Sequence, residues 1–238
     1  SAASDVYKRQ GEEIAVLNND AVPEDNWLEE MVRCLDSDPR IGGVAPLVLN
    51  KETSAIESAG IFPARNGLVY LFKPREEKEQ EVFGVCGVAG LYRGRMLREL
   101  GFYPEDFFIY YEDADLAYRA RRAGWGVVFC PQAKVWHLGS KTTASMAIKT
   151  YYLARNRLRT IARNWDTHLI LKYLPWILSY EMMSLAGALI KGEQGAIKAR
   201  IDFLKLLPQD LKTRRKILSS TSRDFRLENW REKDYPSW

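Results

Sequence analysis

Short apolar runs alternate with amphipathic stretches over the first 140 residues of the chain. Residues 14–17 form an apolar run that ends at a polar loop, which predicts a buried strand, and residues 44–49 predict a second strand. Between them, residues 27–35 carry apolar side chains at helical spacing, and Asp38 and Pro39 predict the end of that helix. The apolar face of this helix comprises Trp27, Leu28, Met31 and Leu35.

Residues 83–92 are apolar and rich in glycine, which predicts a strand that another backbone or a ligand approaches closely. A helix is predicted from the acidic residues at 112–115 to Gly124, a natural C-cap. Residues 127–130 and 133–137 predict two more short strands. Strands that alternate with helices indicate an α/β layer fold with a largely parallel sheet.

The last third of the chain has a different pattern, in which long amphipathic helices predominate. Residues 146–165 keep apolar side chains on one face and a basic stripe at four-residue spacing on another. The stripe consists of Arg155, Arg159 and Arg163. Residues 169–190 are very apolar, but charged residues and a proline interrupt them, so a conventional membrane span is not predicted. Residues 196–217 again predict a basic amphipathic helix.

The formal charge of +4 conceals an asymmetry along the chain. Residues 1–140 carry 16 basic and 22 acidic side chains, a net −6, whereas residues 141–238 carry 19 and 9, a net +10. The basic part therefore faces an anionic partner, for which a membrane surface is one interpretation. The alternative is that these helices pack on the rest of the domain or on a partner subunit. Nucleic acid is a weaker interpretation, because the basic side chains lie among aliphatic ones without a recognised binding motif.

Composition excludes two classes of protein. A hydrophobic content of 46% is too high for a disordered chain, and three cysteines are too few for a disulfide scaffold. Cys34, Cys86 and Cys130 show no CxxC spacing, which predicts buried thiols in a reducing compartment.

Three polar elements lie at the ends of predicted strands or in the adjoining loops, where ligands bind in open α/β sheets. They are Asp20, the acidic cluster at 112–115, and His137. A carboxylate and an imidazole with open positions left over suit a hard divalent cation that also holds substrate phosphates. Two adjacent carboxylates elsewhere in the cleft can divide the work, because one orients an acceptor hydroxyl while the other takes its proton.

Each element also has a purely structural interpretation. Asp20 suits a polar turn, and Asp113 or Asp115 suits the N-cap of the following helix. His137 suits a hydrogen-bonded strand end. The aromatic run at 107–111 suits a core better than a sugar-binding platform. The three polar elements together favour a functional site more than any one of them does alone.

Three strings of the sequence carry a resemblance to a known family. They are AVLNNDAVPEDNWLEEMV, GFYPEDFFIYYEDADLAYRARRAGW and VVFCPQAKVWHLGS, which lie in this order between about residues 13 and 165. Together they resemble the inverting family-2 glycosyltransferases of the GT-A fold, in particular the rhamnosyltransferase-like and galactofuranosyltransferase-like members that build bacterial cell-surface polysaccharides. The resemblance implies a GT-A, Rossmann-like α/β fold with a mixed sheet flanked by helices.

The resemblance also implies a division of the chain. The family's first strand and base-recognising aspartate would precede residue 13, so we expect a fold that is incomplete at the N-terminus. Residues 1–10 are interpreted as a non-native leader and residues 11–140 as the C-terminal part of the GT-A catalytic domain. Residues 141–238 are interpreted as a basic amphipathic helical extension.

By the same resemblance, Asn18, Asn19 and Asp20 stand where the family has its DxD metal motif. Asp20 is then the expected metal ligand, and Asn19 and Asp20 are expected to bind the metal–donor complex. Asn18 departs from the motif, because the first carboxylate is absent. His137 matches the family's second metal ligand, and the implied cofactor is a divalent metal, Mn or Mg.

The acidic pair before the helix matches the family's catalytic pair. The resemblance implies that Asp113 is the catalytic base and that Glu112 contacts the acceptor. Residues 152–157 resemble a recurrent element that follows the domain in this family, and the sequence assigns it no role.

The implied function is inverting transfer of a sugar from a nucleotide-diphosphate donor to a hydroxyl acceptor, in cell-surface polysaccharide or glycolipid synthesis. The expected partners are a nucleotide-sugar donor, a glycan or lipid-linked acceptor and a membrane surface, with no nucleic acid. The expected location is cytoplasmic, peripheral at the inner face of the cell membrane. One alternative is a catalytically silent GT-A-like module that tethers an assembly complex at the membrane. Another is a metal-dependent nucleotidyltransferase, which would need a glycine-rich basic loop that the sequence lacks.

Overall fold

The computed structural model of the protein describes residues 12–139, 146–220 and 225–230. The leader predicted over residues 1–10 lies outside these ranges, and so does the predicted junction after residue 140. Within them, a central mixed sheet packs against helices, as the α/β prediction requires.

Seven strands form the main sheet, and two more form a separate hairpin. The main sheet contains β1 (Glu13–Leu17), β2 (Ala21–Pro23), β3 (Ile41–Asn50), β4 (Ile56–Ser58), β7 (Gln80–Glu81), β8 (Ala89–Arg93) and β9 (Gly126–His137). The hairpin contains β5 (Ile61–Pro63) and β6 (Val69–Leu71). The spatial order is β1-β8-β3-β9-β2, with β4 paired to β3 and β7 paired to β9.

The prediction of a largely parallel sheet is wrong. Of the strand pairs described in the main sheet, β3 and β9 run parallel, whereas the others are antiparallel. Parallel neighbours need a crossover connection, usually helical, and the segment between β3 and β8 contains short strands and turns but no helix. The chain therefore returns in β8, which pairs with β3 in the antiparallel direction.

Two strand predictions change in detail. The strand predicted over residues 83–92 begins only at Ala89, and the residues before it form a loop packed on a helix. The expected close approach is confirmed, because a Cβ on Gly84 would lie 2.4 Å from Cβ of Ala117. The strands predicted at 127–130 and 133–137 are one strand, β9, whose register with β3 shifts after Cys130. Pro131 cannot donate to a strand ladder, which explains an irregularity at that point.

Six helices lie in the described part of the chain. They are α1 (Trp27–Asp36), α2 (Gly94–Leu100), α3 (Glu112–Arg122), α4 (Met146–Asn164), α5 (Thr167–Lys191) and α6 (Gln194–Ser219). Successive side chains of β3 point to opposite faces of the sheet, so helices on the two faces belong to separate layers. Val44 packs in the cluster that contains α1, whereas Ala45 and Leu47 pack in the cluster that contains α2 and α3.

Two burial predictions for the range 12–139 are wrong. Leu28 was expected on the apolar face of α1 but is 48% exposed, and Cys34 takes part in the buried face instead. The strand at residues 14–17 was expected to be buried, yet β1 lies at the edge of the described sheet and Leu17 is 40% exposed. An edge strand has a neighbour on one side only, so its side chains lose less contact with water.

The basic stripe of α4 does not face an anionic partner, and this interpretation is corrected. Arg155, Arg159 and Arg163 are all buried, and the last two form ion pairs with Asp210 of α6. The helix packs on the domain through Ile161 and other apolar side chains. For α4, the alternative of packing on the rest of the domain therefore holds.

The following two helices differ from α4, because both expose large apolar side chains. The exposed residues include Leu171, Leu178, Met182, Met183 and Ile190 on α5, and Ile201 and Leu204 on α6. Within the described residues, no helix combines the length and the apolar character that a membrane span requires.

Candidate active site

Backbone pairing between β2 and β9 brings Asp20 to His137. Ala21 lies opposite His137 in this antiparallel ladder, and the Leu138 amide donates to the carbonyl of Asp20 at 2.8 Å. As a result, Nε2 of His137 lies 3.4 Å from Oδ1 of Asp20, although 117 residues separate them along the chain. Asn18 and Asn19 are exposed in the turn that precedes Asp20.

Glu57 is a site residue that the sequence prediction missed. Its Oε2 lies 2.6 Å from Nδ1 of His137, and its Oε1 accepts a hydrogen bond from Nδ2 of Asn50 at 2.6 Å. Glu57 belongs to β4, which pairs with β3, and Asn50 lies opposite His137 across β3 and β9. The sequence around Glu57 is a polar stretch without periodicity, so no local signal marks this glutamate.

The Asp20–His137 pair fits a divalent cation. In the tautomer that carries its proton on Nδ1, His137 donates a hydrogen bond to the Glu57 carboxylate, and Nε2 then has a lone pair on the side of Asp20. Nε2 is buried and makes no hydrogen bond with any described residue. Two electron-rich atoms at 3.4 Å are stabilised by a positive charge between them, and imidazole with carboxylate is a donor set for manganese-like ions.

The acid pair lies in the first turn of α3, next to the loop that precedes β8. Asp113 accepts hydrogen bonds through Oδ2 from the amide of Gly87 at 2.9 Å and through Oδ1 from the amide of Ala114 at 2.7 Å. Tyr110 and Tyr111, just before the helix, have φ angles of 65° and 69°. This left-handed backbone is uncommon for tyrosine and is found at functional turns.

Burial raises the pKa of both carboxyl groups. For Asp113, desolvation raises the pKa, and the hydrogen bonds from Gly87 and Ala114 oppose that rise. For Glu112, desolvation and then the charge of Asp113 raise the pKa from 4.5 to about 8. Glu112 therefore retains a proton near neutral pH, and the two adjacent carboxyl groups titrate as a unit.

One short loop, residues 86–88, contacts both the turn that leads to Asp20 and the carboxylate of Asp113. The amide of Gly87 donates to Asp113, and the carbonyl of Val88 accepts from the amide of Asn18 at 2.9 Å. A Cβ on Gly87 would lie 3.4 Å from Oδ2 of Asp113, so the backbone passes close to the carboxylate. The turn that carries Asp20 and the helix that carries Asp113 thus meet at a common loop.

Residues 152–157, to which the sequence assigned no role, hold the aromatic run in place. Nδ2 of Asn156 donates to the carbonyls of Phe107, Ile109 and Tyr110 at 2.8–3.0 Å. Phe107 is buried, as the core interpretation predicts, but Phe108 is 67% exposed. Helix α4 therefore fixes the segment that leads into the acid pair.

Asp115 and one cavity of the structure lie apart from the candidate site. Asp115 is buried in an ion pair with Arg119 at 2.8 Å and accepts from Asn164, so it holds helices together. A cavity of about 460 Å³ lies at the starts of β3 and β9, whereas His137 ends β9. None of the predicted site residues lines that cavity.

Comparison with known proteins agrees with the resemblance in sequence. Residues 4–160 match the family model described as glycosyltransferase-like family 2. An N-acetylglucosaminyl-diphospho-decaprenol L-rhamnosyltransferase of Mycobacterium tuberculosis is 30% identical over 122 residues, which are 44% of this chain and 40% of that protein. The galactofuranosyltransferase GlfT2 of Mycolicibacterium smegmatis is 36% identical over 73 residues, 30% of this chain and 11% of that protein.

A solved structure supports the fold. The crystal structure of GalNAc-T7 with UDP, GalNAc and Mn²⁺ aligns with a TM-score of 0.58 at 16% identity, covering 88% of this chain and 43% of that one. The fold is thus the GT-A fold. The chain spans less than half the length of the rhamnosyltransferase and GalNAc-T7 chains with which it aligns.

Proposed function

Because the chain belongs to glycosyltransferase family 2, we propose that it transfers a sugar from a nucleoside-diphosphate donor to a hydroxyl acceptor during the synthesis of a cell-surface polysaccharide or glycolipid. One observation carries the proposal: residues 86–88 hydrogen-bond both the turn that leads to Asp20, at Asn18, and the carboxylate of Asp113. Such a site can hold a diphosphate and activate a hydroxyl side by side. The mycobacterial relative is named a rhamnosyltransferase of N-acetylglucosaminyl-diphospho-decaprenol, and this name supports a lipid-linked acceptor.

Asp20 and His137 would hold Mn²⁺ or Mg²⁺, and Asn19 would contribute to binding of the metal–donor complex. When bound, the metal supplies Lewis acidity that neutralises charge on the departing diphosphate. Glu57 acts on the imidazole, since its hydrogen bond with Nδ1 at 2.6 Å fixes the ring and keeps Nε2 free to bind.

Asp113 acts as the general base on the acceptor hydroxyl. Its raised pKa makes it a better proton acceptor than an exposed aspartate, while the two backbone amides keep its carboxylate oriented. Glu112 stays protonated near neutral pH and can donate a hydrogen bond to the acceptor. Direct in-line attack by the activated hydroxyl inverts the anomeric carbon and requires no covalent intermediate.

The acceptor would be presented at the inner face of the cell membrane, where the protein binds peripherally. The apolar side chains that α5 and α6 expose support this, because exposed lysines lie among them at Lys172, Lys198, Lys205 and Lys212. Basic residues near an anionic bilayer contribute roughly 1 kcal/mol each. The protein should therefore float with anionic vesicles at low salt, and high salt should reduce binding. Equal binding to neutral vesicles would contradict this part of the proposal.

Isothermal titration tests the site directly. We expect Mn²⁺ to bind the chain, and we expect UDP or dTDP sugars to bind only when Mn²⁺ is present. His137→Ala should abolish Mn²⁺ binding, whereas Glu52→Gln, an exposed acid outside the site, should not. A chain that binds anionic vesicles but neither metal nor nucleotide would be the silent tethering module instead.

A further inference from the structure

Two cysteines outside the proposed site lie together in the fold. Cys34 of α1 and Cys130 of β9 are 96 residues apart in the chain, yet their Sγ atoms are 2.7 Å apart. Both side chains are buried. Non-bonded sulfur atoms do not normally approach so closely, and the separation exceeds the length of a disulfide bond, about 2.05 Å, by only ~0.7 Å.

A surface ion pair covers the two sulfur atoms. Nη2 of Arg33 lies 2.5 Å from Oε1 of Glu79 and 3.4 Å from Sγ of Cys34. Both covering side chains are exposed, at 50% for Arg33 and 40% for Glu79. Exposed ion pairs are weak, so this cover opens readily and admits a small oxidant. The hydrogen bond from the Cys34 thiol lowers the pKa of Cys130, which makes Cys130 the more reactive sulfur.

We propose that Cys34 and Cys130 form a reversible disulfide that ties α1 to β9 when the protein meets hydrogen peroxide. The Cys130 sulfur attacks one peroxide oxygen, the O–O bond breaks, and the other oxygen leaves as water with the thiol proton. Cys34 then attacks the sulfenic acid on Cys130, the S–O bond breaks, and a second water leaves with the Cys34 proton. Two thiols lose two electrons, and one peroxide becomes two waters.

A metal site is the other chemistry that this cluster suggests, because Cys34, Glu79 and Cys130 bring their ligand atoms within 4.8 Å of one another. Two observations favour the disulfide. Thiolates on one tetrahedral zinc, with Zn–S near 2.3 Å, stand roughly 3.7 Å apart, farther than the observed 2.7 Å. Arg33 also holds Glu79 and places a positive charge where a cation would bind.

Peptide mapping of the whole chain tests the inference without any assumption about sugar transfer. After treatment with hydrogen peroxide and trypsin, without reduction, the disulfide joins peptide 34–40 to peptide 123–134, whereas Cys86 lies in peptide 79–93. We expect this cross-link in wild type, its loss on treatment with dithiothreitol, and a rise in Tm on the order of 5–10 °C in the oxidised protein. Cys86→Ser should behave as wild type, and Cys34→Ser should lose both effects.

Two outcomes would overturn the proposal. The first is oxidation of wild type to sulfinic acid at either cysteine with no cross-linked peptide, a result that needs no variant to fold. The second is zinc that copurifies at one equivalent, protects both thiols from alkylation and is lost in Glu79→Gln. On the disulfide proposal, Glu79→Gln binds no metal and still forms the cross-link.

Discussion

Two buried clusters of charge in this protein follow opposite rules. Between α4 and α6, Arg159 and Arg163 share Asp210, and both also contact Asp106. In the candidate site, two carboxyl groups are adjacent in the first turn of α3 and no described basic side chain forms an ion pair with either. The first cluster pairs opposite charges, and the second places two carboxyl groups together where burial limits their solvation.

The difference distinguishes ionised groups that stabilise the fold from ionisable groups that can take part in a reaction. A buried ion pair keeps its groups ionised and fixes the geometry of the helices, so its polar atoms are already occupied and do not bind a ligand. Burial, with a second carboxyl group close by, raises the pKa values of the acid pair, which prepares it to exchange protons. The sequence alone does not show which charged residues form buried ion pairs and which have shifted pKa values, because both depend on the groups that face them in the folded protein.

The rate of sugar transfer should change most. Asp113→Asn removes the proposed base while keeping the size of the side chain, so the rate of transfer should fall by about 10²–10⁴. The thermal unfolding curve should change little, because Asn can still accept one of the two backbone hydrogen bonds. The rate is measured with nucleotide sugar and acceptor, and near-normal turnover would remove Asp113 from the role of base.

The matching change in the helical cluster should affect stability. Asp210→Ala leaves Arg159 and Arg163 without their shared buried partner, and the free energy of unfolding should fall by about 3–5 kcal/mol. Urea denaturation measures the loss. Asp202→Ala on the same helix removes a half-buried carboxylate that pairs with the exposed Lys205 and accepts a hydrogen bond from the hydroxyl of Tyr151, so its urea midpoint should move much less than that of Asp210→Ala. Equal effects of the two variants would mean that the buried pairing is not what stabilises α6.

A smaller effect is expected at Glu57. Glu57→Gln replaces the carboxylate that orients His137 with a neutral amide, which should weaken Mn²⁺ binding about 10–100-fold. Titration of Mn²⁺ measures this, with Glu52→Gln as the control on the neighbouring exposed segment. Unchanged affinity would show that His137 needs no help from Glu57.

The smallest effect concerns pH and compares wild type with Glu112→Gln. Because the folded pKa of Glu112 is raised from 4.5 to about 8, the native state holds a proton that the unfolded chain has released over this range. Stability from this group is therefore present below pH 4.5 and is lost as the pH rises towards 8. Tm measured against pH should fall more steeply in wild type than in the variant, and parallel curves would contradict the raised pKa.

Local patterns in the sequence predicted much of the framework and the types of residue in the site. Helix α1, for example, was predicted from its spacing and from the turn at Asp38, and α3 from its C-cap glycine. Asp20, Glu112, Asp113 and His137 were singled out because they follow apolar runs, as ligand-binding residues do in open sheets. These signals span a few residues, so the chain carries them before it folds.

Local sequence therefore specified the period of each element and the chemistry available at its ends. Which groups face each other depends on the folded arrangement. Glu57 meets His137 across 80 residues, Cys34 meets Cys130 across 96, and Arg159 meets Asp210 across 51. Pairing, burial and pKa depend on contacts between distant segments, and the packing of the sheet and helices creates those contacts.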